Sequence, residues 1–243
     1  MLIDRESDVA VWRQIADDLQ SDIAARSLLP GDKLPSESTL AEHYSVNRHT
    51  VRRALLVLAQ EGYVESARGS GTFVLERPVA YPLTSRTRFS EIMSAQNYEP
   101  GGRMISSAVE AANARVAERL ECARGEPVFR LESMRVADGV PIVVNTSYFK
   151  KSQVPALVSD YAELGSFSKA LARAGFGDYR RKSSWITAMA ANSADAANLM
   201  VKPGTPVLHV ESLNVTNDGR PVQFALARFR ADAVQLIVES EEN

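Results

Sequence analysis

Residues 45–55, SVNRHTVRRAL, set Arg48, His49, Arg52 and Arg53 beside an apolar stripe of Val51, Ala54 and Leu55. Guanidinium groups projecting from one side of a helix suit anions, phosphates as single contacts and guanine O6 and N7 through a bidentate fork. Two serines offer a second anion chemistry. Ser90, after Phe89, and Ser166, after Gly165, stand at the starts of helices predicted over 90–96 and 167–173. Free amides and a positive dipole end make such a start an anion site, and serine is equally a preferred cap there, so both readings stay open. Nucleophilic catalysis finds no support. Cys122 lies in a polar segment without a nearby His, His43 and His49 belong to the basic half, and His209 stands alone between Leu208 and Val210. Glu132-Ser133 and Glu211-Ser212 recur, but neighbours on a strand point to opposite faces and form no catalytic pair.

Composition narrows the setting. The chain has 243 residues, 45% of them hydrophobic, and a formal net charge of −2, so a basic site has to be a local patch. A single cysteine excludes an intramolecular disulfide, and three scattered histidines give no metal-ligand spacing; no cofactor or metal is expected. The first residues lack an apolar signal core and no run reaches the roughly 20 apolar residues of a membrane helix, which reads as a cytoplasmic protein with no membrane partner.

The elements that must carry the arginines follow from period and punctuation. Trp12, Ile15, Ala16, Leu19 and Ile23 share one face of a helix over 11–25. Pro30, Gly31 and Pro35 end it, Ser36 caps a second helix over 37–44, and Asn47 caps a third over 48–61 that Gly62 stops. His49 and Arg53 then point outward, with Arg52 and Thr50 on the flanks. Strands over 63–66 and 72–75 flank the turn Ala67-Arg68-Gly69-Ser70-Gly71, a hairpin. Three helices and a hairpin make a winged helix, whose third helix lays its N-terminal residues in the major groove of DNA. Across 45–75 the arginines at 48, 52, 53 and 68 outnumber the glutamates at 61 and 65, a local charge of +2.

The stretch 29–74, LPGDKLPSESTLAEHYSVNRHTVRRALLVLAQEGYVESARGSGTFV, resembles the DNA-binding domain of the GntR family of bacterial transcription regulators. The resemblance implies operator contacts from Ser38, Asn47, Arg48, His49, Thr50, Arg52, Arg68 and Gly69, with Arg53 on the same exposed side. Thr50 and Ser38 suit phosphate, Arg48 or Arg52 a guanine, and Arg68 the minor groove. Ser38 stands where some relatives carry an arginine.

Residues 76–83, ERPVAYPL, read as a stiff connection, with a linker over 77–88 between domains at 1–76 and 89–243. Beyond it the chain repeats itself. GEPVFRLESMRVADGVPIVVNTSYF in 113–149 matches GTPVLHVESLNVTNDGRPVQFALARF in 192–229, pairing Gly125 with Gly204, Pro127 with Pro206 and Asp138-Gly139 with Asp218-Gly219. Each copy reads as a strand (104–110 or 182–188), a short helix and an Asp-Gly hairpin. Together they predict an antiparallel sheet of about six strands with flanking helices, an α+β domain with pseudo-twofold symmetry.

This half resembles the effector-sensing (UTRA) domain of the HutC subfamily, which has the chorismate-lyase fold, and VNRHTVRRAL with RPVAYPLTSRTRFS is most similar to regulators of phosphonate utilisation. In similar sensors of phosphorylated sugars, serines at the positions of Ser90 and Ser166 and an arginine at that of Arg135 hold the phosphate. Ser133 replaces a second arginine of those relatives, which leaves room for another anion. Between the copies Arg135 pairs with Asn214 and Tyr148 with Arg228; Phe89, Arg135, Tyr148, Arg181 and Arg230 are therefore effector candidates, or else solvent-facing residues. The expectation is a homodimeric repressor of phosphonate or phosphorus genes, binding double-stranded operator DNA and released by a small anion: a phosphonate, a phosphate ester or phosphate. Regulation of amino-sugar phosphate or histidine utilisation is the alternative within the subfamily, and a lyase-like enzyme the remote one.

Overall fold

A computed structural model describes residues 3–239 apart from 6 and 68. The chain forms two compact units, 1–78 and 79–243.

In the first unit, α1 (Val11–Ala24), α2 (Glu37–His43) and α3 (Arg48–Gln60) precede the hairpin β1 (Val64–Ala67) and β2 (Gly71–Val74). Local chemistry sets the boundaries. Ser36 Oγ accepts from Thr39 N at 3.1 Å, and Asn47 Oδ1 accepts from Thr50 N at 2.9 Å, so both helices start where a side chain satisfies a free amide. Gly62 takes a positive φ of 72°, and Tyr63 N bonds to Leu58 O at 2.8 Å, a backbone closure that ends α3. Ile15, Leu19, Leu40, Val51, Leu58, Val64 and Val74 form one core.

The second unit holds β3 (Val79–Pro82), α4 (Phe89–Ala95), β4 (Pro100–Ala111), α5 (Ala114–Leu120), β5 (Pro127–Ala137), β6 (Val140–Lys150), α6 (Leu157–Leu164), α7 (Phe167–Arg173), β7 (Arg180–Ala190), α8 (Ser193–Leu199), β8 (Pro206–Val215), β9 (Pro221–Arg230) and β10 (Val234–Ile237). Six of these strands make one antiparallel sheet ordered β4-β5-β6-β9-β8-β7, a sequence that reads the same from either end of the duplication. Asn113 and Asn192 cap α5 and α8 identically, their Oδ1 atoms accepting from Val116 N at 2.9 Å and Asp195 N at 2.8 Å. Both helices then leave through a left-handed residue, Glu121 or Met200.

Three features lie outside the sequence-based expectation. Within the span read as linker, β3 pairs in parallel with β10 (Val79 with Val234) and Tyr81 is buried. The helix α6 appears between β6 and α7. The helix predicted to begin at Ser90 begins at Phe89, with Arg88 before it and no side-chain cap, so Ser90 sits inside the first turn.

One sheet face carries Leu131, Phe149, Val143 and Phe229 and is covered by α4, α6, α7 and the β3–β10 pair. The opposite face packs against α5 and α8, around Val128, Tyr148 and Phe224 in one cluster and Val144 and Val207 in another.

Candidate functional site

The first candidate surface is the start of α3. Val51, Ala54, Leu55 and Leu58 face the core, which leaves Arg48, His49, Arg52 and Arg53 exposed. Their surroundings differ. Arg48 has no ion-pair partner among the described residues, whereas Arg52 closes a bidentate fork on Glu37, Nε to Oε1 at 3.0 Å and Nη2 to Oε2 at 2.7 Å. That hydrogen bond holds the Glu37 carboxyl below its ordinary range, helped by the charge of Arg48 and His49. Arg53 lies over the Trp12 ring, 4.5 Å from its centroid. Thr50 donates its hydroxyl to Asn47 Oδ1 at 3.0 Å, and Ser38 is half-buried in the first turn of α2. Gly69 is exposed at the wing with a positive φ of 74°, while Arg68 lies outside the described residues. Glu37 escaped the sequence reading because its partner is 15 positions away.

The second is on the helix-covered face away from α5 and α8. An open cleft between the first turns of α4 and α7 is lined by Ser90, Arg135, Ser166 and Lys169, with Arg88 and Phe89 at its side. Beneath it an inner cavity of about 130 Å³ shares Arg88, Phe89, Arg135 and Phe167 and continues to Tyr81, Asn145, Tyr179 and Arg181. Four strands floor it through Ser133, Asn145, Ala227 and Ser212, each on the same side of the pleat.

Two local features seat Arg135. The β5–β6 register slips between Arg135 and Val136, a bulge of the kind that re-aims a side chain. Gly102, at φ +149°, lets β4 approach so closely that a Cβ there would stand 2.3 Å from the Met134 carbonyl oxygen and 3.0 Å from Arg135 Cδ. The guanidinium of Arg135 then lies 5.9 Å and 5.6 Å from the rings of Tyr161 and Phe167.

The effector candidates therefore separate by strand parity. Phe89, Ser90, Arg135, Ser166 and Arg181 line these connected spaces. Tyr148 and Arg230 do not: on β6 Val143 and Asn145 face the cavity, so Tyr148, of the other parity, stacks on Phe224 at a 6.0 Å centroid distance. On β9 the same alternation that turns Ala227 and Phe229 inward sends Arg230 to Asp232, 2.7 Å away. Ser166 is also the cap of α7, accepting from Lys169 N at 3.4 Å. Asn145 was missed, although a polar residue inside the apolar run PIVVNTSYF was a legible signal; Tyr81 was hidden in the presumed linker and Arg88 before a helix whose start was set one residue late.

Burial raises the Tyr81 hydroxyl to about 12, against the opposing pull of Arg181 and Arg135. Burial likewise pushes the Cys122 thiol up, away from the reactive thiolate, and the His209 imidazole down. Among the described residues no group of His, Cys, Asp or Glu could hold a metal, and no helix is long and apolar enough to cross a membrane.

Comparison with known proteins places both units. Residues 12–74 match the bacterial regulatory proteins of the gntR family, and residues 95–235 match the UTRA domain. The chain is 36% identical over 240 residues to the uncharacterized HTH-type transcriptional regulator RB1450 of Rhizobium meliloti strain 1021, covering 98% of each chain. It is 31% identical over 210 residues to the probable transcriptional regulator PhnF of Escherichia coli strain K12, covering 86% of this chain and 87% of that one. In fold it is similar to the crystal structure of PhnF from Mycobacterium smegmatis, with a TM-score of 0.78 at 23% identity over 94% of this chain and all of the other. With a basic recognition helix in one unit and a ligand-sized cavity in the other, the chain belongs to the gntR family with a UTRA effector domain, as a ligand-responsive, DNA-binding transcription regulator.

Proposed function

We propose that the protein represses genes for uptake and metabolism of phosphonates or related phosphorus compounds, and that a small phosphorus-containing anion releases it from its operator. The observation that carries this reading is the convergence of Ser90, Ser166, Lys169 and Arg135 on one cleft from three separate elements. Hydroxyls, first-turn amides and two cations are the donor set that an oxyanion with three acceptor oxygens requires. The resemblance of the sequence to regulators of phosphonate utilisation agrees with it.

On DNA, Arg48 reads a guanine edge, His49, Thr50, Ser38 and Arg53 contact backbone, and Arg68 and Gly69 follow the groove beside the wing. Arg52 joins them once Glu37 gives up its fork. A homodimer supplies the second reader for a half-site about 34–36 Å away. The anion acts by binding more tightly to the dimer arrangement that does not fit the operator.

Gel shift with DNA from upstream of the protein's own gene tests this. A retarded band is expected, lost on adding methylphosphonate, phosphonoacetate or phosphate, and no longer lost in Arg135→Ala. A band indifferent to every phosphorus anion would refute the proposal.

A further inference from the structure

The inner cavity contains two guanidiniums that the chain leaves unbalanced. Arg135 enters from β5 and Arg181 from β7 at the sheet edge, so they come from opposite halves of the duplication. Each sits at a register shift, Arg135/Val136 in one pairing and Arg181/Ser183 in another. Neither has a carboxylate partner among the described residues. Arg181 Nε is buried with no hydrogen-bond partner there, a costly state for an ionised donor unless something else supplies the acceptor.

The rest of the lining sharpens the requirement. Among the described residues no Asp or Glu lines this cavity. A third guanidinium, Arg88, also lines it but has Glu91 at 3.8 Å and donates to Gly177 O at 3.0 Å, and the other polar groups beside the arginines are neutral hydroxyls and amides such as Ser212, Asn214 and Gln223. Asn145 uses its amide nitrogen on Ser147 Oγ at 2.9 Å, which leaves its buried Oδ1 without a donor. A matching ligand thus presents acceptors to two cations. The two cations also act together on the Tyr81 hydroxyl, as groups facing one space would. A volume of about 130 Å³ suits a short carbon chain with its end group, being close to the roughly 150 Å³ cavity that holds benzene.

Resting on the reading that the outer cleft takes a phosphorus-containing anion, we infer that the effector is bifunctional: a phosphonate or phosphate-ester group at Arg135, Ser90 and Ser166, and a carboxylate at Arg181, joined by a short chain. One site then discriminates among phosphorus compounds by their far end. A compound ending in an ammonium group meets Arg181 with like charge.

Titration calorimetry of the full-length protein compares methylphosphonate, 2-aminoethylphosphonate, phosphonoacetate and 3-phosphonopropionate. The better of the two carboxylated probes binds about tenfold more tightly than methylphosphonate, the gain of one charge-assisted contact, and the ammonium probe binds more weakly than methylphosphonate. In Arg181→Met the advantage of the carboxylate disappears while methylphosphonate binding is kept; Arg181→Lys retains part of it. Equal affinities for carboxylated and plain phosphonates in the unaltered protein, or an Arg181→Met change that weakens all probes in proportion, overturn this inference and leave the single-anion reading standing. Failure of all four to bind removes both.

Discussion

Arg48 and Arg52 are one helical turn apart and chemically alike, yet only one is committed to a partner. The Glu37 fork holds Arg52 across the surface of α2 and α3, whereas Arg48 has no ion-pair partner among the described residues. Replacing Arg48 by Ala removes about 1 to 3 kcal/mol of operator discrimination, read as a weaker specific band in gel shift. Glu37→Gln works in the other direction. It removes a negative charge beside the phosphates and loosens Arg52, so affinity rises and the slope of log K against log salt steepens by about 1. Tyr81 gives a pH prediction. Its folded pKa is about 12, against about 10 in an unfolded chain, so the native state holds the proton more tightly. That contribution to stability is complete below about pH 10 and is lost as the pH rises toward about 12. Tyr81→Phe flattens the decline in that window, measured by denaturant unfolding at a series of alkaline pH values.

At the scale of elements, the duplicated halves solve the same packing problem in two ways. The helix α5 packs on β9 and α8 on β6, each crossing to the other half of the sheet. In the first, Val116 and Tyr148 pack in one apolar cluster with Phe224. At the corresponding positions of the second, Asp195 and Arg228 form an ion pair at 3.0 Å, with Glu132 accepting from the same guanidinium at 3.1 Å and Thr146 at 2.8 Å. This explains the divergence between Tyr148 and Arg228 as core chemistry on the face opposite the cavity. Arg228, 8% exposed, cannot be removed alone: Arg228→Ala strands the buried Asp195 carboxylate, leaves Glu132 only Arg130 at 3.7 Å, and costs about 3 to 5 kcal/mol. The double change Asp195→Val with Arg228→Tyr, which copies the first half, destabilises less than that single change, and urea unfolding compares the two.

For the whole molecule, the core of the first unit shares no residue with the apolar clusters of the second, and the two units serve two tasks. Ligand at about 100 times its Kd stabilises the unit that binds it by about 2.7 kcal/mol. A calorimetric scan with phosphonoacetate is therefore expected to raise the unfolding transition of 79–243 more than that of 1–78. One common upward shift of both would instead mean that the units unfold as a single cooperative block. The sheet edges β4 and β7 leave Val109, Trp185, Ile186 and Met189 exposed, apolar surface available to a second copy, and sedimentation of the free protein tests the proposed homodimer: a monomer mass would overturn it.

The sequence by itself determined what depends on near neighbours. Asn47, Ser36 and Gly62 set α2 and α3 through bonds three to five residues long, and the Asp138-Gly139 turn and its repeat announced the hairpins. The winged helix and the six-stranded antiparallel sheet were legible for that reason. Tertiary structure alone decided the contacts whose partners are distant: β3 on β10, Glu37 on Arg52, and Arg181 in one cavity with Arg135. It also chose between Arg181 and Tyr148 as cavity residues. Which face a strand residue takes follows from register and parity, and a bulge resets both without leaving a mark in the local composition.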